Sequence, residues 1–376
     1  MTVLPQRRRR LSLKVPESRN MKMFFVKTLA AINLLFVILM VIVGYSYYVD
    51  PAVIKYFSVL GLVFPIFLVI NMTFLVLWIF INWRYVILPV IGFAVVFVPI
   101  TIYVPLNMPA AMPSGVIKVL SFNVLSYHGT EGGSTFDTIY TYLNESNSDI
   151  ICLQEDNGIG GKMLAKLNNM LPYHKTVQVG GGPFYNRLGV YSRFPILKTE
   201  EIDYGSRGNG SVAFFLKVYG DTVIVINNHF ESNKLSGEDR NTNKDMLKGN
   251  LNEEQTKNES KRLIVKLSNA AVTRSKQAKM VREFIDAHSA YPMIVCGDFN
   301  DSPLSHTRYL LAKDMTDCFV ESGRGLGLSY NQKGFNVRID NILCSKHYEP
   351  YNCKVGSEIK VSDHYPIYCW IKMQGK

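Results

Sequence analysis

Two short stretches of this chain carry side chains that could do chemistry together. One reads Gly297-Asp298-Phe299-Asn300 and the other Ser362-Asp363-His364-Tyr365-Pro366. The first follows an apolar β-like run, Tyr291 to Cys296, and the second opens another, Tyr365 to Ile371. Residues at strand ends converge on clefts, so these Asp, Asn and His side chains are positioned to share a site. Further strand ends add Gln154-Glu155 after Ile150 to Leu153, Asn123 in Ser121-Phe122-Asn123-Val124, and Asn227-Asn228-His229 after Thr222 to Ile226. Carboxylates, amides and imidazoles in this mixture suit a hard divalent cation and a phosphate ester.

The elements that must hold these residues begin at Val116. β-like runs (116–124, 149–153, 188–192, 212–218, 222–228, 292–296, 337–343 and 365–371) alternate with polar turns. Phe136, Ile139, Tyr140 and Leu143 repeat with helical spacing, and Met280, Val281, Phe284 and Ile285 form a second apolar face. Strands mixed with helices predict sheets covered by helices. The stretch 231–279 is crowded with Lys, Glu, Asp, Asn and Ser and predicts a polar insertion, placed directly after His229 as a flap over the site would be.

The first third has a different texture. Uncharged stretches cover 28–49, 57–81 and 85–104, each close to the roughly 20 residues that cross a bilayer. Tyr45, Tyr47, Tyr48, Tyr56, Trp83, Tyr85 and Tyr103 sit at their ends, as interfacial belts do. Three transmembrane helices are therefore expected over 28–104, after a basic cytoplasmic tail, 1–27. A proline-rich linker (105–115) then leads to a catalytic domain over 116–376. Arg7, Arg8, Arg9, Arg10, Lys14, Arg19, Lys22 and Lys27 precede the first span, so the N-terminus is expected in the cytoplasm. Three crossings then place the domain outside: a multi-pass inner-membrane protein with an extracytoplasmic domain, periplasmic if the cell is Gram-negative.

Composition excludes some functions. The net charge of +11 divides into +8 over residues 1–114 and only +3 over 115–376, too little for a DNA-binding face. The span interiors carry no acidic, basic or imidazole side chain, which argues against an ion pathway. Of the six cysteines, Cys152 and Cys296 lie in apolar runs and read as core residues. Cys318, Cys344, Cys353 and Cys369 leave open a disulfide of unassigned connectivity.

Residues 116–374 resemble the endonuclease/exonuclease/phosphatase superfamily, through SFNV, LQED, NNHF, GDFN with the following Asp301, and SDHYP, in that order. Arg338-Ile339-Asp340-Asn341-Ile342 is similar to the Asp-containing strand before the last motif. The resemblance implies a four-layer αββα sandwich, DNase I-like, behind the three membrane helices. It implies Mg²⁺ or Mn²⁺ held by Glu155 with Asn123 and Asp363, and Asp298 as the base for the attacking water. Asn300 would hold Asp298 or a phosphate oxygen. His364, oriented by Asp340, would stabilise phosphoryl charge, and His229 would assist. Arg193, Asn123 and Asn300 would contact the phosphate.

The sequence departs from the abasic-site nuclease branch at Leu125, where an acidic residue is common. It departs from the inositol-polyphosphate phosphatase branch at Phe299 and around Arg338. What the resemblance implies is thus a membrane-anchored phosphodiesterase or phosphatase, a lipid head group being one candidate substrate. A nuclease is the alternative within the class, with nucleic acid not favoured by the charge. A non-catalytic binding protein on the same fold is the alternative outside it. The partners implied are the phosphoester and the bilayer, and no obligate protein partner is inferred.

Overall fold

The computed structural model describes residues 17–130, 132–181, 185–332 and 335–375. The arginines at 7–10 and Lys14, on which the orientation of the first span rests, lie outside the described residues. The described residues form two compact units, one within 17–42 and 64–96, the other within 43–63 and 97–375.

In the first unit, α1 (Glu17–Gly44) and α2 (Phe64–Ile81) are followed by α3 (Ile87–Val95). Two helical stretches, Asn20–Tyr48 and Lys55–Ile81, are long and apolar enough to cross a membrane; Trp83–Val95 with Phe97–Tyr103 makes a third span only if that broken pair counts as one. Ala30, Phe74 and Trp78 pack together. A small polar network pins α1 to α2: Trp78 Nε1 donates to Asn33 Oδ1 (2.9 Å), and Asn33 Nδ2 donates to Asn71 Oδ1 (3.3 Å). Amide bonds of this kind hold apolar helices together where hydrophobicity alone gives no preference.

The second unit carries the sheets. After α4 (Phe97–Tyr103) come β1 (Ile117–Asn123), α5 (Phe136–Glu145), β2 (Ile150–Gln154), α6 (Gly161–Asn168), β3 (Tyr173–Val179), β4 (Asn186–Ser192), β5 (Ile196–Ile202), β6 (Gly210–Val218) and β7 (Asp221–His229). Then follow α7 (Gly237–Leu247), α8 (Glu253–Ala287), β8 (Met293–Asp298), α9 (His306–Ala312), β9 (Met315–Asp317), α10 (Cys318–Ser322), β10 (Tyr330–Gln332), β11 (Phe335–Val337), β12 (Asp340–Ser345), β13 (Tyr348–Val355) and β14 (Ile367–Met373). The two large sheets run β13-β14-β1-β2-β4-β3 and β5-β6-β7-β8-β12-β9.

Strand alternation builds the layers. On β7, Val223 and Val225 face a core shared with Val119 and Cys152 of the other sheet. Ile224 and Ile226 face Ala278, Val281 and Ile285 of α8 on the opposite side. On β1 and β2, Leu120, Phe122, Ile151 and Leu153 turn outward onto Phe136, Ile139 and Leu143 of α5. The result is a mixed α/β sandwich of two sheets, consistent with the DNase I-like fold. All six cysteines are buried and unpaired.

The stretch 231–279, expected as a polar insertion, forms α7 and most of α8. Both helices start with capping boxes, Ser236 with Asp239 and Asn252 with Gln255. Asp239 then ties them together, accepting from Lys266 Nζ (2.6 Å) and pairing with Arg262 (3.1 Å). The buried stripe of α8 includes Ser268, Ala270, Ala271, Arg274, Ser275 and Gln277. It is a stripe of small and polar side chains, which an apolar period does not reveal.

One glycine is fixed by geometry. Gly297 has φ +129°, and a Cβ there would lie 2.0 Å from the Asn228 carbonyl oxygen on the neighbouring strand. Gly297→Ala is expected to destabilise the fold by about 2–3 kcal/mol or more through backbone strain and overpacking. Thermal unfolding in detergent reads this directly; a midpoint equal to wild type would contradict it.

Candidate active site

Register brings the chemistry together. On three adjacent strands, Asp298 pairs with His229 on one side and with Asp340 on the other. This row of three closes one sheet end. On the other sheet Asn123 pairs with Gln154, so Glu155 follows at the end of β2. The loop carrying Asp363 and His364 is tied to β1, because Ser362 Oγ donates to the Asn123 carbonyl oxygen (2.8 Å). Asn123, Glu155, His229, Asp298, Asp363 and His364 then line a single cavity.

Beneath the site, the sheets are bolted by buried amides. Gln154 Nε2 donates to Asn227 Oδ1 (2.6 Å), and Asn227 Nδ2 donates to the carbonyls of Leu153 (2.9 Å) and Gly189 (3.1 Å). Asp156, next to Glu155, is held by Tyr127 Oη (2.6 Å) and Tyr191 Oη (2.9 Å) and does not line the cavity. Asp301, which does line the cavity, is bonded to Arg274 (3.1 Å) and Thr307 (2.9 Å).

Asp298 is clamped. Its Oδ1 accepts from Asn300 N (2.8 Å), and its Oδ2 accepts from Asn300 Nδ2 (3.1 Å) and Asn123 Nδ2 (3.2 Å). Asn300 achieves this from a left-handed backbone (φ +53°), a conformation Asn tolerates. Glu155 shares that conformation (φ +53°), which costs a non-glycine residue energy and recurs at functional sites. Burial pushes Asp298 up to about 6, against the pull of His364 and with the charge of Asp340 adding to the rise.

The two histidines are set differently. His364 Nδ1 lies 2.9 Å from Asp340 Oδ2, and its Nε2 lies 3.5 Å from Asp298 Oδ2. Burial opposes charge on this ring, but Asp340, Asp298 and Asp363 outweigh it and hold its pKa well above the ordinary imidazole value. His229 faces the other way in protonation. Asn186 Oδ1 accepts from Asn157 Nδ2 (2.8 Å) and Arg187 N (2.7 Å), leaving Asn186 Nδ2 to donate to His229 Nδ1 (3.0 Å). His229 Nδ1 is then an acceptor and its proton sits on Nε2, 3.7 Å from both Glu155 and Asp298. Burial lowers its pKa, so it stays neutral. One cationic and one neutral imidazole thus flank the same carboxylate.

The donor set fits a hard cation. Glu155 and Asp363 both face the cavity, and burial followed by the charge of Asp363 raises the Glu155 carboxyl above its ordinary value. A divalent ion would relieve that repulsion and takes oxygen donors of this kind. Asp298, Asp340 and His364 also offer ligand atoms within 4.8 Å of one another. Both ring nitrogens of His364, however, face carboxylates, which makes this group a proton chain.

Asn123 Oδ1 accepts from Leu125 N (3.1 Å), and its Nδ2 points at Glu155 (3.2 Å) and Asp298. Asn123 therefore holds the two carboxylates in place. The phosphate contact expected of Arg193 does not hold. β4 runs antiparallel to β2, so Arg193, just past Ser192, lies at the end of the sheet where β2 begins, paired with Asp149 (3.4 Å). The cavity takes its cations from elsewhere, from Lys234, from Arg240 on α7 and from Arg274 on α8. Tyr330, whose ring sits 5.2 Å from that of His364, and Asn186 also join the site without a motif to announce them.

The chain belongs to the Endonuclease/Exonuclease/phosphatase family, whose profile matches residues 120–364. A second profile, a domain of unknown function (DUF8431), matches residues 26–103. Members of the first family are phosphoester hydrolases and commonly use divalent metal ions. Among solved structures, a humanized zebrafish TDP2 is 16% identical with a TM-score of 0.49, covering 69% of this chain and 100% of that one. An endonuclease/exonuclease/phosphatase family protein from Bacteroides thetaiotaomicron is 16% identical (TM-score 0.47; 70% and 98% covered). A mannosyl-6-phosphatase from the same organism is 15% identical (TM-score 0.47; 68% and 100% covered). No curated protein matches.

Proposed function

We propose that this protein is a membrane-anchored, divalent-metal-dependent phosphoester hydrolase whose domain acts outside the cytoplasm. The observation that carries the chemistry is the row His229–Asp298–Asp340, closed by the cationic His364 over Asp298. Asp298 takes a proton from water as the water oxygen bonds to phosphorus. The ester P–O bond breaks, and the departing oxygen takes a proton from bulk water. His364 and the Nε2–H of His229 stabilise the phosphoryl oxygens as charge builds. Bound at Glu155 and Asp363, Mg²⁺ or Mn²⁺ supplies Lewis acidity and a template for the phosphate.

Placement outside the cytoplasm is supported by a parity argument. The segment between the first two candidate spans contacts the catalytic fold: His306 Nδ1 is 2.9 Å from the Tyr47 carbonyl oxygen, and Ser275 Oγ donates to Asp50 Oδ1 (2.9 Å). Segment and domain therefore share one side of the membrane. The chain leaves that side along Lys55–Ile81 and must return before β1, through 83–103. With the N-terminus in the cytoplasm, both lie outside. A tag appended after Lys376 is expected to react with a membrane-impermeant label in intact spheroplasts. Reaction only after permeabilisation would overturn the placement.

Full-length protein in detergent is expected to hydrolyse bis(p-nitrophenyl) phosphate with Mg²⁺ or Mn²⁺. Chelation should lower the rate at least about 10²-fold, restored by adding back metal. Unchanged turnover after chelation would refute metal dependence; failure on every phosphoester with metal present and the fold intact would refute the function.

A further inference from the structure

Ser58, Val59 and Leu62 line the same cavity as Glu155, Asp298 and His364. They belong to the 3-10 stretch Lys55–Val63, the opening turns of the candidate membrane span Lys55–Ile81. Val59 and Leu62 are only half-buried, and Leu235 and Leu267 of the α7–α8 region add further apolar side chains to that cavity. This segment is built into the domain. Gly61 lies so close to Leu304 that a Cβ there would stand 2.4 Å from the Leu304 carbonyl oxygen. Asp50 pairs with Lys279, and Tyr47 and Tyr48 pack their rings on Tyr309. The catalytic pocket is thus walled on one side by apolar residues that continue, along the chain, into a helix suited to hydrocarbon.

Resting on the hydrolase reading above, we infer that the substrate is an amphiphile drawn from the membrane, a phosphate ester bearing a long hydrocarbon chain. The phosphate lies against Asp298 and His364, and the first methylenes of the chain lie on Val59 and Leu62. A polynucleotide fits this wall poorly. Of the cavity's cations, Lys234 is paired with Glu231 (2.6 Å) and Arg274 with Asp301 (3.1 Å), Arg240 donates to the Leu235 carbonyl (3.2 Å), and the apolar side offers no cation to a further phosphate.

The test uses the full chain in lipid nanodiscs and p-nitrophenyl alkyl phosphates with chains of about two to about twelve carbons, since each buried methylene is worth about a four-fold change in binding. Wild-type kcat/KM is expected to rise at least about ten-fold across the series. Leu62→Asp should flatten that rise, because partitioning into the bilayer is unaffected by the substitution. If Leu62→Asp lowers the unfolding midpoint, Val59→Ser serves in its place. A flat wild-type series, a rise that survives the substitution, or an oligonucleotide cleaved faster than the longest ester overturns the inference and leaves the hydrolase reading standing. No hydrolysis of any member, short or long, overturns both.

Discussion

Asp298→Asn is expected to lower kcat on bis(p-nitrophenyl) phosphate by about 10³-fold or more while leaving the fold intact, on the scale of losing a positioned general base. The amide has the shape of the carboxylate and its Oδ1 still accepts from Asn300 N, but it cannot take the proton of the attacking water. The stability change runs the opposite way. Burial lifts the folded-state pKa of Asp298 to about 6 from an ordinary 3.8. The folded protein therefore binds this proton more tightly than the unfolded chain does. Stability from this group is full below 3.8 and is lost as pH rises through about 6. At neutral pH the charge is a liability, so Asp298→Asn is expected to keep or raise the unfolding midpoint, as active-site neutralisation often does. Turnover within ten-fold of wild type, measured beside a normal melting curve, would remove Asp298 from the chemistry.

Asp340→Asn should act through His364. The carboxylate 2.9 Å from Nδ1 is the largest of the charges that keep that ring protonated against its burial. The other charged or titratable groups around it are Asp298, Asp363, Glu155, His229 and Tyr330. If the reaction uses the imidazolium, activity disappears as pH rises through the raised pKa of His364. Losing Asp340's charge lowers that pKa, so the alkaline limb of the kcat/KM profile moves to lower pH. Turnover at neutral pH falls by about 10²-fold, the scale of one lost transition-state donor. His364→Ala should lose activity without any such limb. A profile that keeps its alkaline limb in Asp340→Asn would show that the pair does not set the proton.

Much of the site was legible because it sits at strand ends, and strand ends are punctuated by recognisable residues. Asn123, Glu155, His229, Asp298, Asp363 and His364 all border one cavity. What the sequence hid was direction. Arg193 follows a strand as the others do, but β4 runs against β2, and the residue after it lands at the far end. Asn186 was invisible because its role is to fix a tautomer across 43 residues of sequence. The helical nature of 231–279 was masked because α8 between Ser268 and Ala278 buries Ser, Ala, Gln and Arg in place of large apolar side chains. The wall formed by Val59 and Leu62 reads as part of a membrane span in the sequence, and only tertiary contact turns it toward the catalytic residues.

The guanidinium of Arg338 is buried and donates to the carbonyls of Leu326 (2.9 Å) and Ile102 (2.5 Å). The second of these acceptors lies upstream of the proline-rich spacer. Proteolytic shedding at the spacer would therefore strip a buried cation of one of its two oxygen acceptors, at a cost of several kcal/mol. If the domain is the membrane-anchored hydrolase proposed above, it is poorly suited to release as a free fragment, and its activity is expected to stay with the helices that precede it.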